Sequence, residues 1–359
     1  MKFSRFVFFL FLMVSGFLFA EKAGEDEFNT LMGKETEYWD FIKKEEDVVA
    51  LEKFRALYVK NKGRLFQTTG DFKIPKVIHF IWIGPRPFPP LSVENIRTWI
   101  AKNPDWKVKF WTDRDRPAPC NGMEVHKVDD FPFLFLKRFF EESQNYGEKS
   151  DVLRFEILFQ EGGVYVDHDA NCLRSFDNLH RGVDFYCGLE VPHPPLVGLG
   201  VTTGIGVVGS RPGHPIIKKV IDLISKEWQK IGKKYRGKDG YSRTQLVMER
   251  TYLMLTHALK KKCVDQAGNV DIVLPAAYFF AKKGIPPLYS KHFFANTWAD
   301  DEEKNREFEK NARRAMEKIK QKNLTIRRIG KTVLSLNIIA FVAIFFYLVR
   351  KKKQQNEIT

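Results

Sequence analysis

Asp167 and Asp169, one residue apart at the end of the apolar run Val164-Tyr165-Val166, have the spacing in this 359-residue chain that most invites chemistry. In a strand, side chains two apart face the same side, so the two carboxylates are predicted to project together. Acids that close repel each other unless a cation sits between them or one takes up a proton. Oxygen donors of this kind suit hard divalent ions such as Mg²⁺ and Mn²⁺. The pair also falls at the carboxyl end of a strand, where open α/β sheets bind their ligands. A metal clamped against a diphosphate is the chemistry this implies, although D-x-D alone also fits a solvated turn. Asp151 and Arg154, three apart in a predicted helix over 149–160, share a helical face. A carboxylate beside a guanidinium can hydrogen-bond sugar hydroxyls; standing alone, it is also an ordinary surface ion pair.

The elements that must position these residues are legible from apolar patterning. KIPKVIHFIWIG predicts a buried strand over 77–83. A helix follows from Ser92, with Ser92 as N-cap and Asn95 in the capping-box position, and stops at Asn103-Pro104. WKVKFWTD (106–113) is a second strand, FLFLKRFFEESQ a helix, and Gly162-Gly163 ends the helix over 149–160. After the strand with the two acids come FYCGLEV, GIGVVGS, an amphipathic helix opened by Pro215, a helix in LVMERTYLMLTHALKK, and a strand in VDIVLPAAYFF; SKHFFANTW reads as a loop. Strands alternating with helices predict an open, largely parallel α/β sheet. Residues 21–70 read as a small helical subdomain and 301–331 as a charged helical stalk.

Both ends of the chain carry membrane signals. Residues 1–20 have the basic, apolar, then small-residue layout of a cleaved signal or a retained signal anchor. Residues 332–349, TVLSLNIIAFVAIFFYLV, contain no charge and as a helix would cover about 27 Å, close to a bilayer's hydrocarbon thickness. The basic tail over 350–359 is expected to stay cytoplasmic, which places the intervening chain on the lumenal side. The formal net charge of +15 fits an anionic partner or a solvated basic surface. Without a Walker-type loop, zinc-finger spacing or nucleic-acid motif, nucleic acid is excluded as the expected partner. Cys120, Cys172, Cys187 and Cys263 lack CxxC spacing, so no zinc site is expected, and their redox pairing is open. Asn323-Leu324-Thr325 is a glycosylation sequon.

The string SDVLRFEILFQEGGVYVDHDANCL strongly resembles the sugar-binding region of glycosyltransferase family 32. These DXD enzymes include yeast Golgi mannosyltransferases and inositol-phosphoceramide mannosyltransferases, and glucosylating bacterial toxins share the layout. The resemblance extends over residues 74–298: IPKVIHFIWIGP is similar to the family's first strand, NPDWKVKFWTD to its second, GSRPGHP to the segment after the acceptor side, and HFFANTW to its closing H-x-x-x-x-S-W. It implies a GT-A (Rossmann-like) domain over 71–300 with a metal-dependent, retaining mechanism. By this resemblance Asp167 and Asp169 hold a divalent metal (Mn²⁺ or Mg²⁺) with the donor's diphosphate and ribose. Asp151 and Arg154 grip hydroxyls of the hexose, Tyr165 lines the sugar pocket, and Trp82 stacks on the nucleobase. His292 and Trp298 belong to the closing loop, His292 as a metal ligand. The chain departs from the pattern at Phe293, where a second His is usual, at Thr297 in place of Ser, and at Arg250-Thr251-Tyr252 in place of Thr-Gly-Pro near the acceptor.

The expected activity is hexosyl transfer by a membrane-anchored enzyme with its catalytic domain in the Golgi or ER lumen. GDP-mannose is the favoured nucleotide-sugar donor, with a UDP-hexose as the alternative, and the acceptor is a lipid or glycan such as an inositol-phosphoceramide. Two other readings stand beside it: a toxin-like glucosyltransferase using UDP-glucose on a protein, and a lectin-like module that binds sugar or nucleotide without turnover.

Overall fold

The computed structural model describes residues 27–194, 198–237, 240–261 and 268–295, together with Gln321 and Thr325. The chain divides into two units, Met1–Asn305 and Arg306–Thr359, and the sheet and helices below lie in the first. The expected signal segment (1–20), transmembrane span (332–349) and basic tail (350–359) lie outside the described residues, as do Trp298, Thr297, Cys263 and, apart from Gln321 and Thr325, the stalk. Among the described residues, no helix is long and apolar enough to cross a membrane.

Seven strands make the main sheet: β1 (Val77–Ile81), β2 (Lys107–Thr112), β3 (Glu124–Lys127), β4 (Gly163–Val166), β6 (Phe185–Leu189), β7 (Thr203–Ser210) and β8 (Asp271–Leu274), in the order β3-β2-β1-β4-β7-β6-β8. β5 (Ala170–Cys172) pairs with β9 (Ser290–His292) in a separate two-stranded ribbon. The pairs β1–β2, β1–β4, β2–β3 and β6–β8 are parallel, but β7 is antiparallel to both β4 and β6. The sheet is therefore mixed rather than uniformly parallel. A parallel return needs a crossover, usually helical. Here the β6–β7 connection pairs with itself, Glu190 N–H donating to Thr202 O (3.0 Å) and His193 N–H to Gly200 O (3.2 Å), which turns β7 back on β6.

The helices among the described residues include α1 (Glu45–Asn61), α2 (Pro90–Lys102), α3 (Lys137–Glu142), α4 (Tyr146–Gln160), α5 (Asp177–Gly182), α6 (Pro215–Tyr235), α7 (Gly240–Val247) and α8 (Leu253–Lys260), with a π-helical turn at Met248–Tyr252 joining the last two. α6 buries Ile217, Val220, Ile221, Ile224, Trp228 and Ile231, the 3.6-residue stripe of a helix lying on a sheet. α1 packs on β8, where Asn61 Nδ2 donates to the Asp271 carbonyl (2.7 Å).

α4 starts three residues earlier than its periodicity predicts, because the Asn145 side chain accepts from Glu148 N–H (2.9 Å) and caps the helix. Its residues 151–158 are all buried, so Asp151 and Arg154 form no surface ion pair. The helix hands over to β4 through Gly162 (φ 67°) and Gly163 (φ 91°). A Cβ on Gly163 would lie 2.6 Å from the Val77 carbonyl, so glycine is what lets β4 start beside β1. The predicted N-cap is corrected: α2 begins at Pro90 after Pro89, without a side-chain cap, and Ser92 lies within its first turn. Proline's fixed φ suits that first position and needs no N–H partner.

Two core histidines tie these elements together in their neutral form. His79 Nε2 donates to the Gly162 carbonyl (2.9 Å) while Nδ1 accepts from Trp111 Nε1 (3.2 Å). His180 Nδ1 donates to the Pro75 carbonyl (2.9 Å) and Nε2 accepts from the Tyr186 hydroxyl (2.9 Å). Burial lowers His79 to about 4 and His180 to about 3. The unfolded chain protonates first as pH falls, so their contribution is complete above an ordinary histidine pKa of about 6.5 and declines toward pH 4. The urea midpoint is expected to fall steadily between pH 7 and pH 4.5, each histidine costing up to about 1.4 kcal/mol per pH unit. A flat midpoint across that interval would contradict the neutral, buried assignment.

Candidate active site

β4 ends at Val166, and the two acids flank a turn instead of lying in a strand: Asp167 N–H donates to the Gly206 carbonyl (2.8 Å), and Ala170 N–H returns to the Asp167 carbonyl (3.1 Å). Their convergence, predicted from strand alternation, thus comes from a tight turn that sends the chain into β5. The β5–β9 ribbon, with Ala170 opposite His292, delivers the third group. His292 Nε2 lies 3.2 Å from Asp167 Oδ2 and 3.3 Å from Asp169 Oδ1, and one ligand atom from each of the three residues falls within 4.8 Å of the others. The segment after β9 braces the arrangement: Phe293 N–H donates to the Asp169 carbonyl (2.9 Å), Ala295 N–H to Asp169 Oδ2 (2.6 Å), and Phe294 N–H to His292 Nδ1 (3.0 Å). Phe294 takes φ 54°, an uncommon backbone for a large side chain, held by these contacts. SKHFFANTW, read as a loop, is therefore partly a strand. Three residues with no flanking apolar run gave no strand signal.

Gly206 is the floor of this group. A Cβ there would stand 2.6 Å from Asp167 Oδ2 and 2.9 Å from His292 Nε2, so any side chain would push the acid and imidazole apart.

Arg154 links the acids to the central helix. Its Nη2 lies 2.5 Å from Asp151 Oδ1 and its Nη1 3.6 Å from Asp167 Oδ1, while Nη1 also donates to the Ile205 carbonyl (2.7 Å). The guanidinium sits 4.0 Å over the Tyr165 ring, and the Tyr165 hydroxyl donates to Asp167 Oδ1 (2.7 Å). Asp151 Oδ2 accepts from Thr251 Oγ1 (2.6 Å), a residue of the π-helical turn that sequence reasoning noted only as a departure from the family pattern. Burial pushes the Asp167 carboxyl up, but Arg154 and the His292 hydrogen bond outweigh it and hold it well below the usual carboxylate range. Burial raises Asp151 despite Arg154 and Thr251. For His292 burial acts downward, yet its bond to Asp167 and the charge of Asp169 win and raise it.

Trp82, just beyond β1, packs edge-on to His168 (centroids 4.9 Å apart) and to Phe88 (5.4 Å), with its indole N–H donating to the Arg86 carbonyl (2.9 Å). It therefore stands beside the turn that carries the acids. Ser92 and Asn95, expected to cap α2, instead hold that turn: Ser92 Oγ lies 2.7 Å from His168 Nδ1, and Asn95 Nδ2 donates to the His168 carbonyl (3.2 Å). Of the predicted site residues, Asp151, Arg154, Tyr165, Asp167, Asp169 and His292 come together, Trp82 flanks them, and Trp298 lies outside the described residues. His168, Gly206 and Thr251 were not foreseen. Each acts through a partner at least 38 positions away, and no local pattern marks them.

The donor set fits a divalent cation. Three carboxylates (Asp151, Asp167, Asp169) against one guanidinium leave two negative charges when His292 is neutral. Two carboxylates with one imidazole are donors for a divalent cation, and the described cysteines, Cys120, Cys172 and Cys187, are free thiols outside this donor set.

A family model described as "Glycosyltransferase sugar-binding region containing DXD motif" matches residues 89–186. The chain is 28% identical over 178 residues to Subversion of eukaryotic traffic protein A of Legionella pneumophila, covering 45% of this chain and 27% of that protein. It is 30% identical over 151 residues to Inositol phosphoceramide mannosyltransferase 3 of Schizosaccharomyces pombe (41% of this chain, 36% of that one). It is 28% identical over 229 residues to Mannosyl phosphorylinositol ceramide synthase SUR1 of Saccharomyces cerevisiae (62% and 50%). The chain thus spans half or less of the length of these curated relatives. Among solved structures, the PaToxG glycosyltransferase aligns over 59% of this chain and 77% of its own, with 18% identity and a TM-score of 0.40. The match over residues 89–186, a stretch that includes the D-x-D sequence Asp167-His168-Asp169, is thus to a sugar-binding region of glycosyltransferases.

Proposed function

We propose that the protein is a retaining hexosyltransferase that takes mannose from GDP-mannose and places it on a lipid or glycan hydroxyl, inositol phosphoceramide being the leading acceptor. The observation that carries this reading is the meeting of Asp167, Asp169 and His292 beside the buried Asp151–Arg154 pair. The acceptor is suggested by the names of two relatives, an inositol phosphoceramide mannosyltransferase and a mannosyl phosphorylinositol ceramide synthase. Membrane anchoring with a lumenal catalytic domain, expected from residues 1–20 and 332–349, is part of the same proposal.

Asp167, Asp169 and His292 would hold the divalent cation. When bound, it supplies the positive charge that stabilises a departing diphosphate. Asp151 and Arg154 grip hexose hydroxyls, the acid accepting and the guanidinium donating, and so fix the anomeric carbon. Tyr165 and Thr251 keep this pair from turning: one lies under the guanidinium, the other bonds Asp151. Trp82 offers its ring to the nucleobase, a contact every base accepts. The acceptor oxygen forms its bond to the anomeric carbon on the face the diphosphate leaves. The old C–O electron pair departs with the nucleoside diphosphate, and the acceptor's proton passes to a donor phosphate oxygen. One relative, of Photorhabdus asymbiotica, is named Toxin, so UDP-glucose, the donor of the toxin-like reading, is the one to compare against.

Incubating the protein with UDP- and GDP-sugars and Mn²⁺ is expected to release one nucleotide, and EDTA to stop the release. Asp169→Ala should lower turnover by at least about 100-fold, the scale of losing a main electrostatic stabiliser. Unchanged release in EDTA together with an active Asp169→Ala protein would remove the metal-dependent reading. Sugar-nucleotide binding without release would favour the lectin-like module.

Acid should weaken the metal. The raised His292 holds a proton more tightly than an ordinary histidine, and that proton must leave before Nε2 can ligate. Mn²⁺ affinity measured by calorimetry is expected to fall as pH drops from 8 to 6, with close to one proton released per ion at the lower pH. A pH-independent affinity would take His292 out of the ligand set.

Gly206→Ala is expected to cost about 100-fold in turnover, because displacement of reacting groups by about an ångström has that effect. Its thermal midpoint should move far less than its rate, and a variant as active as the parent would show that the carboxylate–imidazole contact is dispensable.

A further inference from the structure

Residues 190–194 and 198–202 are the two stems of the β6–β7 connection. Glu190 follows the end of β6, whose direction matches that of β4, so the stems rise on the same edge of the sheet as Asp167. Their side chains form a polar row. Thr202 Oγ1 is 3.0 Å from His193 Nε2 and 3.0 Å from the Tyr252 hydroxyl. Burial and, after it, the charge of Glu190 raise the Tyr252 phenol, and the same charge acts on His292. Tyr252 adjoins Thr251, whose hydroxyl donates to Asp151. Contacts therefore run from the stems to the pair assigned to the hexose.

The stems are fixed from the N-terminal helix. Asp47, in the first turn of α1, is 1% exposed, and its Oδ1 accepts from Gly200 N–H (2.9 Å) and Val201 N–H (3.1 Å). The Lys44 ammonium donates to the Gly198 carbonyl. A Cβ on Gly200 would lie 2.9 Å from Asp47 Oδ2 and 3.0 Å from the Phe41 carbonyl, so the stem can approach α1 this closely only as glycine. A buried carboxylate is costly where packing alone is required, and an apolar side chain would serve that purpose better. Both hydrogen bonds of its side chain are spent on the stem's backbone.

We propose that Asp47 is a positioning residue for sugar transfer: its two bonds to the stem's backbone fix the β6–β7 stems, whose Thr202 holds Tyr252 next to Thr251 and so braces Asp151, and the first stem, with Glu190 at its start, forms the edge that receives the acceptor's hydroxyl groups. His193 and Thr202 are buried and bonded within the row, so the half-buried Glu190 carboxylate is the stem group left to accept from a polyol hydroxyl. The N-terminal helix, set apart by its sequence, becomes part of the site. This inference rests on the transferase reading.

The test compares Asp47→Ala and Asp47→Asn with the parent, in the full chain, using Mn²⁺, the donor that the parent turns over, and detergent-dispersed inositol phosphoceramide as the probe acceptor. Asp47→Ala is expected to raise the acceptor KM by about tenfold, the scale of one lost charge-assisted hydrogen bond, while release of nucleotide to water stays within about twofold. Amide exchange at Gly200 and Val201 should accelerate in the same variant. Asp47→Asn retains an oxygen that can accept both N–H groups, and should recover most of the KM and the protection. Parallel loss of hydrolysis and transfer, or no rescue by asparagine, would make Asp47 merely structural and overturn the proposal; so would fast exchange with an unaltered KM. If the parent turns over no sugar nucleotide, the transferase reading fails first, and the acceptor-edge proposal falls with it. If it hydrolyses donor but ignores this probe, the assigned acceptor is wrong. Slow exchange at Gly200 and Val201 in Asp47→Ala would then still refute the clamp.

Discussion

A guanidinium buried to 4% exposure at the end of a sheet has to be neutralised, and the arrangement around Arg154 follows from that need. Removing such a charge from water costs several kcal/mol, recovered only where opposite charge and hydrogen bonds surround it. Asp151, Asp167, the Ile205 carbonyl and the Tyr165 ring do this from three different elements: the helix itself, β4 with its turn, and β7. The two acids more than balance the arginine, and Asp169 adds to the excess, which the neighbouring His292 offsets in part when it carries a proton. A low-dielectric setting strengthens every such contact.

That electrostatic cluster needs its backbone to come very close. β7 crosses between β4 and β6 with glycine at 204, 206 and 209, and at each of them a Cβ would strike a ring, an acid or a hydroxyl within 2.6 Å. The reversed direction of β7 brings its opening residues, and with them Ile205 and Gly206, up to the carboxyl end of β4. A parallel strand in the same slot would present its last residues there. The mixed topology is thus tied to the chemistry: it lets one strand supply both the acceptor carbonyl for Arg154 and the bare floor beneath Asp167 and His292.

Much of this was legible in the sequence, and the boundary between what was and was not has a physical cause. Apolar runs located β1, β2, β4, β6, β7 and β8, because fully buried strands have to be apolar on both faces. The pairing of Asp151 with Arg154 was readable from helical spacing, a local property. The convergence of Asp167 with Asp169 was foreseen for the wrong reason: two-residue alternation was invoked, and a turn does the work. Ser92 and Asn95 have the spacing of a capping box, yet His168, more than seventy residues away, is the partner they take. His292 was named only through the family pattern, since its strand is three residues long and carries no hydrophobic period. Thr251 and Gly206 declare themselves only when the fold has brought their partners to them.

The residues that meet in the site come from both inside and outside the stretch that the family model matches. The family region, residues 89–186, contains Asp151, Arg154, Tyr165, Asp167 and Asp169, the groups suited to a hexose and a diphosphate. Gly206, Thr251, Tyr252 and His292 lie after it, and Asp47 and Trp82 before it. The imidazole that completes the carboxylate cluster and the indole that flanks it therefore come from outside that stretch, and no single segment carries the whole site. A π-helical turn inserts an extra residue at an energetic cost that a plain α-helix avoids, and such turns concentrate at functional sites. Here it aims Thr251 at Asp151 and Tyr252 at Thr202, so a single irregularity joins the buried Asp151–Arg154 pair to the β6–β7 stems.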